Sequence, residues 1–231
     1  MLPHITHIPD DSDKDRGLNS GVIETTGYLL QRHMATEAQT HASYERTQRQ
    51  LSFTGGVQID DAYWGGEKHG GKPGRGSENK HPFVAAVETN EENHPLSMRF
   101  SMVTSFRKKE LELWAKKHLS RQTHLVTSDG LGAFTGIADA GHLHKAVVTG
   151  GGHESMSNEL FTWVNTMIGN VKNSLRGSYH SINPKHLPRY LAEFCYRFNR
   201  RFDMGAMISR LGYMAARTCP MPERLLKLAD L

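Results

Sequence analysis

The spacing of apolar positions divides the chain into strands and helices. Val57-Gln-Ile-Asp-Asp-Ala-Tyr63, introduced by Gly55-Gly56, predicts a first strand. Phe83–Glu88 and Met98–Thr104 predict two more, joined by the polar turn Thr89–Pro95. Arg107–Leu119 then reads as a helix, with Ser105 just ahead of it as its cap. His124-Leu-Val-Thr-Ser128 predicts a short buried strand that ends at Asp129-Gly130. A weak helix at Leu131–Ala140 and a strand at Lys145–Thr149 lead into Gly150-Gly-Gly152. From Asn158 onward Leu160, Val164, Met167, Ile168, Val171 and Leu175 form a helical apolar stripe, and His186–Phe202 and Met204–Ala216 predict two further helices. Ahead of the first strand, residues 1–20 read as a flexible acidic lead and 21–50 as a short helical segment. Strands alternating with helices after an initial meander imply an α/β fold, a mixed sheet flanked by helices.

Composition narrows the class. The 231 residues, with 37% apolar, describe a globular chain with room for one sizeable domain. No run approaches the ~20 apolar residues of a membrane span, and the first thirty residues carry Asp10, Asp11, Asp13 and Asp15 in place of a secretory signal. Cys195 and Cys219 are too few for a disulfide scaffold or an all-cysteine zinc site, so a reducing cytoplasm is expected. The net charge of +4 is modest, but its distribution is not even. Residues 65–80 form a glycine-rich loop with Lys68, Lys72, Arg75 and Lys80. Between residues 172 and 210 eight Lys/Arg stand against two Asp/Glu, with six aromatics interleaved. That segment is a candidate nucleic-acid footprint; a solvated helix face whose aromatics point into the core is the alternative.

Two acids stand where chemistry is expected. Asp60 lies inside the first strand, and alternation sends Asp60 and Asp61 to opposite faces, so only one of them is expected in any site. Asp129 follows the fourth strand, at the end where α/β sheets place their ligands, although Asp-Gly is also an ordinary turn. On the helix from Asn158, the edge beside the apolar stripe carries Asn158, Asn165 and Lys172 in one line, with Arg176 beyond and no acid. The histidines have no metal-ligand spacing such as H-E-x-x-H.

Together these blocks carry a resemblance. Ile59-Asp-Asp-Ala-Tyr-Trp-Gly-Gly66, Thr127-Ser-Asp-Gly130 and Trp163-Val-Asn-Thr-Met-Ile-Gly-Asn-Val-Lys172 resemble the three catalytic blocks of bacterial insertion-sequence transposases of the DDE superfamily. Asn183–Phe194 and Tyr196–Arg201 are similar to the same family's C-terminal region. The third acid of the superfamily, a Glu, is replaced by Asn165, as in a branch that has Asn with Lys seven residues later. The resemblance implies a ribonuclease H-like core over 55–180 and a basic helical C-terminal region over 181–231. Residues 21–50 resemble only the last helix of the family's helix-turn-helix, without its zinc ribbon. It further implies Mg²⁺-dependent cleavage and strand transfer of DNA, by two ions for which Mn²⁺ could substitute. Asp60, Asp129 and Asn165 would be ligands, with Lys172 on a phosphate oxygen. Lys68, Lys72, Arg75, Lys80, Arg176, Lys185, Arg189, Arg200 and Arg201 would grip DNA. Its partners would be the element's terminal inverted repeats, target DNA and further copies of the chain, its place the nucleoid. Glu154, in the glycine-rich loop before the helix, is the rival third ligand. A nuclease on the same fold, or a non-catalytic DNA-binding remnant, would be the alternative.

Overall fold

The computed structural model describes residues 44, 52–65, 79–148, 159–179 and 182–217. Most of the acidic lead and the N-terminal helical segment, three loop cations (Lys68, Lys72 and Arg75) and Glu154 therefore lie outside the described residues.

Five strands form one mixed sheet: β1 (Gly56–Trp64), β2 (His81–Thr89), β3 (Pro95–Met102), β4 (Leu125–Asp129) and β5 (His144–Val147). Their order is β3-β2-β1-β4-β5. The β1–β2 and β2–β3 pairs are antiparallel, whereas β1–β4 and β4–β5 are parallel. β2 pairs on both sides, and it is buried from Phe83 to Thr89. β3 is an edge strand, which is why it can begin with a proline.

Alternation along β1 divides the core in two. Val57 and Ile59 face a layer built on α1 (Lys108–His118), with Leu111, Trp114 and Ala115 beneath the sheet. Ala62 faces the other layer, where α3 (Thr162–Ser178) and α4 (Leu187–Asn199) contribute Val164, Met167, Val171, Leu187, Leu191 and Cys195. This is an α/β fold compatible with a ribonuclease H-like core. α4 packs against β3, so the core continues past residue 180. The aromatics of the basic segment largely belong to this packing: Tyr196 is buried and Phe194 stacks on Phe100 with centroids 6.3 Å apart. α5 (Met204–Arg217) buries none of its residues.

Two local expectations differ from the structure. Ser105 does not cap α1; Arg107 holds that position, and the Glu110 carboxylate accepts from the Thr104 and Ser105 amides at 2.5 and 3.1 Å. Leu160 precedes α3 in a 3₁₀ turn and is 42% exposed, so the buried stripe runs through Val164, Met167, Val171 and Leu175 instead.

The weak helix resolves into a 3₁₀ turn, Gly132–Thr135, and α2 (Gly136–Asp139). α2 lies so close to α1 that a Cβ on Gly136 would stand 2.1 Å from the Lys108 carbonyl oxygen and 2.9 Å from the Glu112 nitrogen. Both neighbours are backbone and cannot rotate away. Gly136→Ala is therefore expected to destabilise the fold by roughly 1–3 kcal/mol, read as a lower urea midpoint; an unchanged midpoint would show that the two helices separate freely.

Candidate active site

The parallel ladder between β1 and β4 runs from Gly56↔Leu125 to Ile59↔Ser128 and stops there. Asp60 and Asp61 follow on one strand, Asp129 on the other, at the carboxyl end where open α/β sheets bind ligands. Carboxylate oxygens of Asp60, Asp61 and Asp129 all lie within 4.8 Å of one another, and each residue is half-buried. Backbone amides support the arrangement. Asp60 Oδ1 accepts from the Asp61 amide at 2.8 Å, and Asp129 Oδ1 from the Leu131 amide at 3.1 Å. Ser128 Oγ donates to the Asp129 carbonyl at 2.8 Å and sits 2.8 Å from His144 Nε2, tying the end of β4 to β5.

Asp61 corrects the alternation argument. Its position on β1 does alternate with Asp60, but the ladder on that side ends at Ile59. On the β4 side no strand then separates the two faces, although β2 still pairs with β1 on the other, and both carboxylates reach the open sheet end. The signal was in the sequence: Asp129-Gly130 ends the fourth strand, so its neighbour also loses its ladder there.

α3 packs on the same sheet, against β1 and β2. Asn165 and Lys172 are both half-buried on one edge of the helix, beside the buried stripe. Burial and the Arg176 charge lower the Lys172 pKa, while Asp60 and Asp61 pull it upward, so the ammonium lies within the field of the carboxylates. Gln58, on the same face of β1 as Asp60, accepts from the Trp163 and Val164 amides at 3.1 and 3.2 Å.

The expected DNA-gripping cations divide into two groups. Lys80 lies just before β2 at the sheet end that carries the acids, and Arg176 and Lys185 are exposed. Three others make contacts within the fold. Arg189 is only 7% exposed and lies 3.2 Å from His186 Nδ1. Arg200 lies 4.2 Å over the Tyr196 ring, and Arg201 donates to the Leu96 and Phe198 carbonyls at 3.2 and 2.9 Å. Aromatic faces and free edge carbonyls are strong local partners for a guanidinium, and they engage Arg200 and Arg201. A separate cavity of about 570 Å³ between β3, α1 and α4 is lined by none of the three carboxylates.

Residues 52–199 match the model of the ISXO2-like transposase domain family. The match covers most of the chain, which belongs to this family of insertion-sequence transposases of the DDE superfamily. No curated protein matches the chain. Membership makes DNA the expected partner and a divalent metal the expected cofactor. Three clustered carboxylates are the hard, anionic donors that Mg²⁺ and Mn²⁺ select, so the residues present fit such an ion. Among the described residues no helix is long and apolar enough to cross a membrane.

Three like charges this close repel one another when no cation is bound. Asp61→Asn is expected to raise the metal-free melting temperature by about 2–4 °C, equivalent to about 1 kcal/mol. It should also shrink the further rise produced by Mg²⁺ or Mn²⁺. An unchanged melting temperature with an undiminished metal response would place Asp61 outside the cluster.

Proposed function

We propose that the protein cleaves and joins the DNA strands of an insertion sequence by Mg²⁺-dependent in-line phosphoryl transfer. The observation that carries this reading is the meeting of Asp60, Asp61 and Asp129 at the common end of β1 and β4, with Lys172 of α3 in the field of Asp60 and Asp61. Asp60 and Asp129 would hold two Mg²⁺ ions, or Mn²⁺ in their place, and Asn165 would supply a neutral amide oxygen. When bound, the ions neutralise charge on the phosphoryl oxygens and lower the pKa of the attacking water or 3′ hydroxyl. Asp61 adds negative charge at the same sheet end, which offsets the acid missing at Asn165. Lys172 holds a non-bridging phosphate oxygen as a point charge and keeps the scissile phosphate in line.

In the first step the oxygen of water bonds to phosphorus while the bond to the 3′ oxygen breaks, leaving a free 3′ hydroxyl. In the second the oxygen of that hydroxyl bonds to a phosphorus of the target strand while the target's own bond from that phosphorus to a 3′ oxygen breaks, and the released 3′ oxygen takes up the proton. Lys80, Arg176 and Lys185 hold the DNA backbone, joined by Lys68, Lys72 and Arg75 of the loop outside the described residues. The terminal inverted repeats and target DNA are the partners, and copies of the chain assemble on them at the nucleoid.

An oligonucleotide strand-transfer assay with a labelled terminal sequence tests the reading. Metal-dependent 3′ cleavage followed by joining to target DNA is expected. Asp60→Asn and Asp129→Asn should each cost more than the roughly 10–100-fold lost when a residue that only orients a metal ligand is changed. Cleavage without joining would make the protein a nuclease, and binding without cleavage a DNA-binding remnant. Lys172→Ala should weaken DNA binding and flatten its salt dependence by about one counterion; an unchanged slope would remove Lys172 from the phosphate.

A further inference from the structure

The start of α3 has no cap of its own. Phe161 occupies the N-cap position and makes no side-chain hydrogen bond to the helix. The first-turn amides of a helix have no intrahelical acceptor, and a buried amide left without one is costly. Here the acceptor comes from another element. Gln58 of β1, only 5% exposed, turns its Oε1 to the amides of both Trp163 and Val164. Its Nε2 donates to Asn93 Oδ1 at 3.1 Å.

Asn93 is itself held. It lies in the β2–β3 turn with a φ of 60°, a left-handed conformation that asparagine tolerates better than most residues. Its amide donates to the Asn90 carbonyl at 3.0 Å, and the Asn90 side chain accepts from the His94 amide at 2.7 Å. The Asn93 carbonyl in turn accepts from Trp163 Nε1. A strand, a hairpin tip and a helix start are thus joined through one glutamine.

The location gives this clamp its consequence. Gln58 and Asp60 are two residues apart on one strand, so they share a face. Gln58 fixes Trp163 and Val164, and Asn165 is the next residue along. Successive helix positions turn by about 100°, so a slip of one residue at the clamp would swing the Asn165–Lys172 edge away from the carboxylates. We infer that Gln58 is a positioning residue: through the first turn of α3 it sets Asn165 and Lys172 against Asp60 and Asp129, with Asn93 as its holder. This rests on the proposed role of Asn165 as a ligand.

The test is calorimetric titration of the full chain with Mn²⁺, alongside its metal-free melting temperature. Four variants are compared: Gln58→Met, Gln58→Glu, Asn93→Gly and Asn165→Ala. Gln58→Met keeps the length of the side chain but loses the acceptor, and should weaken Mn²⁺ binding by about 10-fold or more, the loss also expected of Asn165→Ala. Gln58→Glu keeps an acceptor for the two amides, with its charge favoured at a helix start, and should recover most of that loss. Asn93→Gly keeps the turn and its carbonyl while removing the holder, and should fall between. Because Asn93 is exposed, this variant remains informative even where Gln58→Met fails to fold.

A merely structural role for Gln58 would lower the melting temperature and leave the affinity of the folded fraction unchanged. Weak binding by Asn165→Ala, with parental affinity in Gln58→Met and Asn93→Gly, would overturn the positioning role and leave Asn165 a ligand. Parental affinity in Asn165→Ala would overturn the ligand role, and the positioning inference with it.

Discussion

The site depends on one ladder, the parallel pairing of β1 with β4 from Gly56↔Leu125 to Ile59↔Ser128. It joins segments far apart in sequence and ends them together, so the acids that follow must share one small volume. The association of carboxylates cannot drive this, because like charges repel. Burial drives it: Ile59 and Val126 are fully buried in one layer, and β2 supports β1 from the other side. Hydrophobic packing thus holds together an arrangement that electrostatics alone would open, and a divalent cation reverses the sign of that term.

The same economy of elements appears on the other face. α3 and α4 cover the sheet with apolar stripes, and their polar residues fix what packing leaves free. Asn199 of α4 bonds the amide and carbonyl of Met98 at 2.7 and 2.9 Å, as a neighbouring strand would. Arg201 covers the carbonyls of Pro95 and Leu96. The free edge of β3 is thereby closed to further pairing.

Much of the architecture was legible in the residues, because strand and helix periods differ and the long elements are strongly patterned. β1, β2, α1, α3 and α4 fall close to the spans their apolar spacing indicates. Asp60 and Asp129 were visible as acids in apolar strands, and the structure brings them together. Asp61 was not placed correctly, because alternation describes a strand within a sheet and not one that outruns its neighbour. Gln58 was silent: a polar residue between Val57 and Ile59 looks like ordinary alternation until the helix above it is known. The contacts of Arg189 and Arg201 within the fold were not legible, because charge counted along a chain says nothing of the carbonyls and rings a guanidinium will meet.

In the proposed site Asp60, Asp129 and Asn165 would hold the metal at the end of the β1–β4 ladder. Anomalous diffraction from crystals of the full chain soaked in Mn²⁺ decides this. An anomalous peak bonded to Asp60 and Asp129, with the Asn165 amide oxygen among its ligands, is expected. A peak held by other residues, or one bonded to Glu154 with Asn165 turned away, would contradict it.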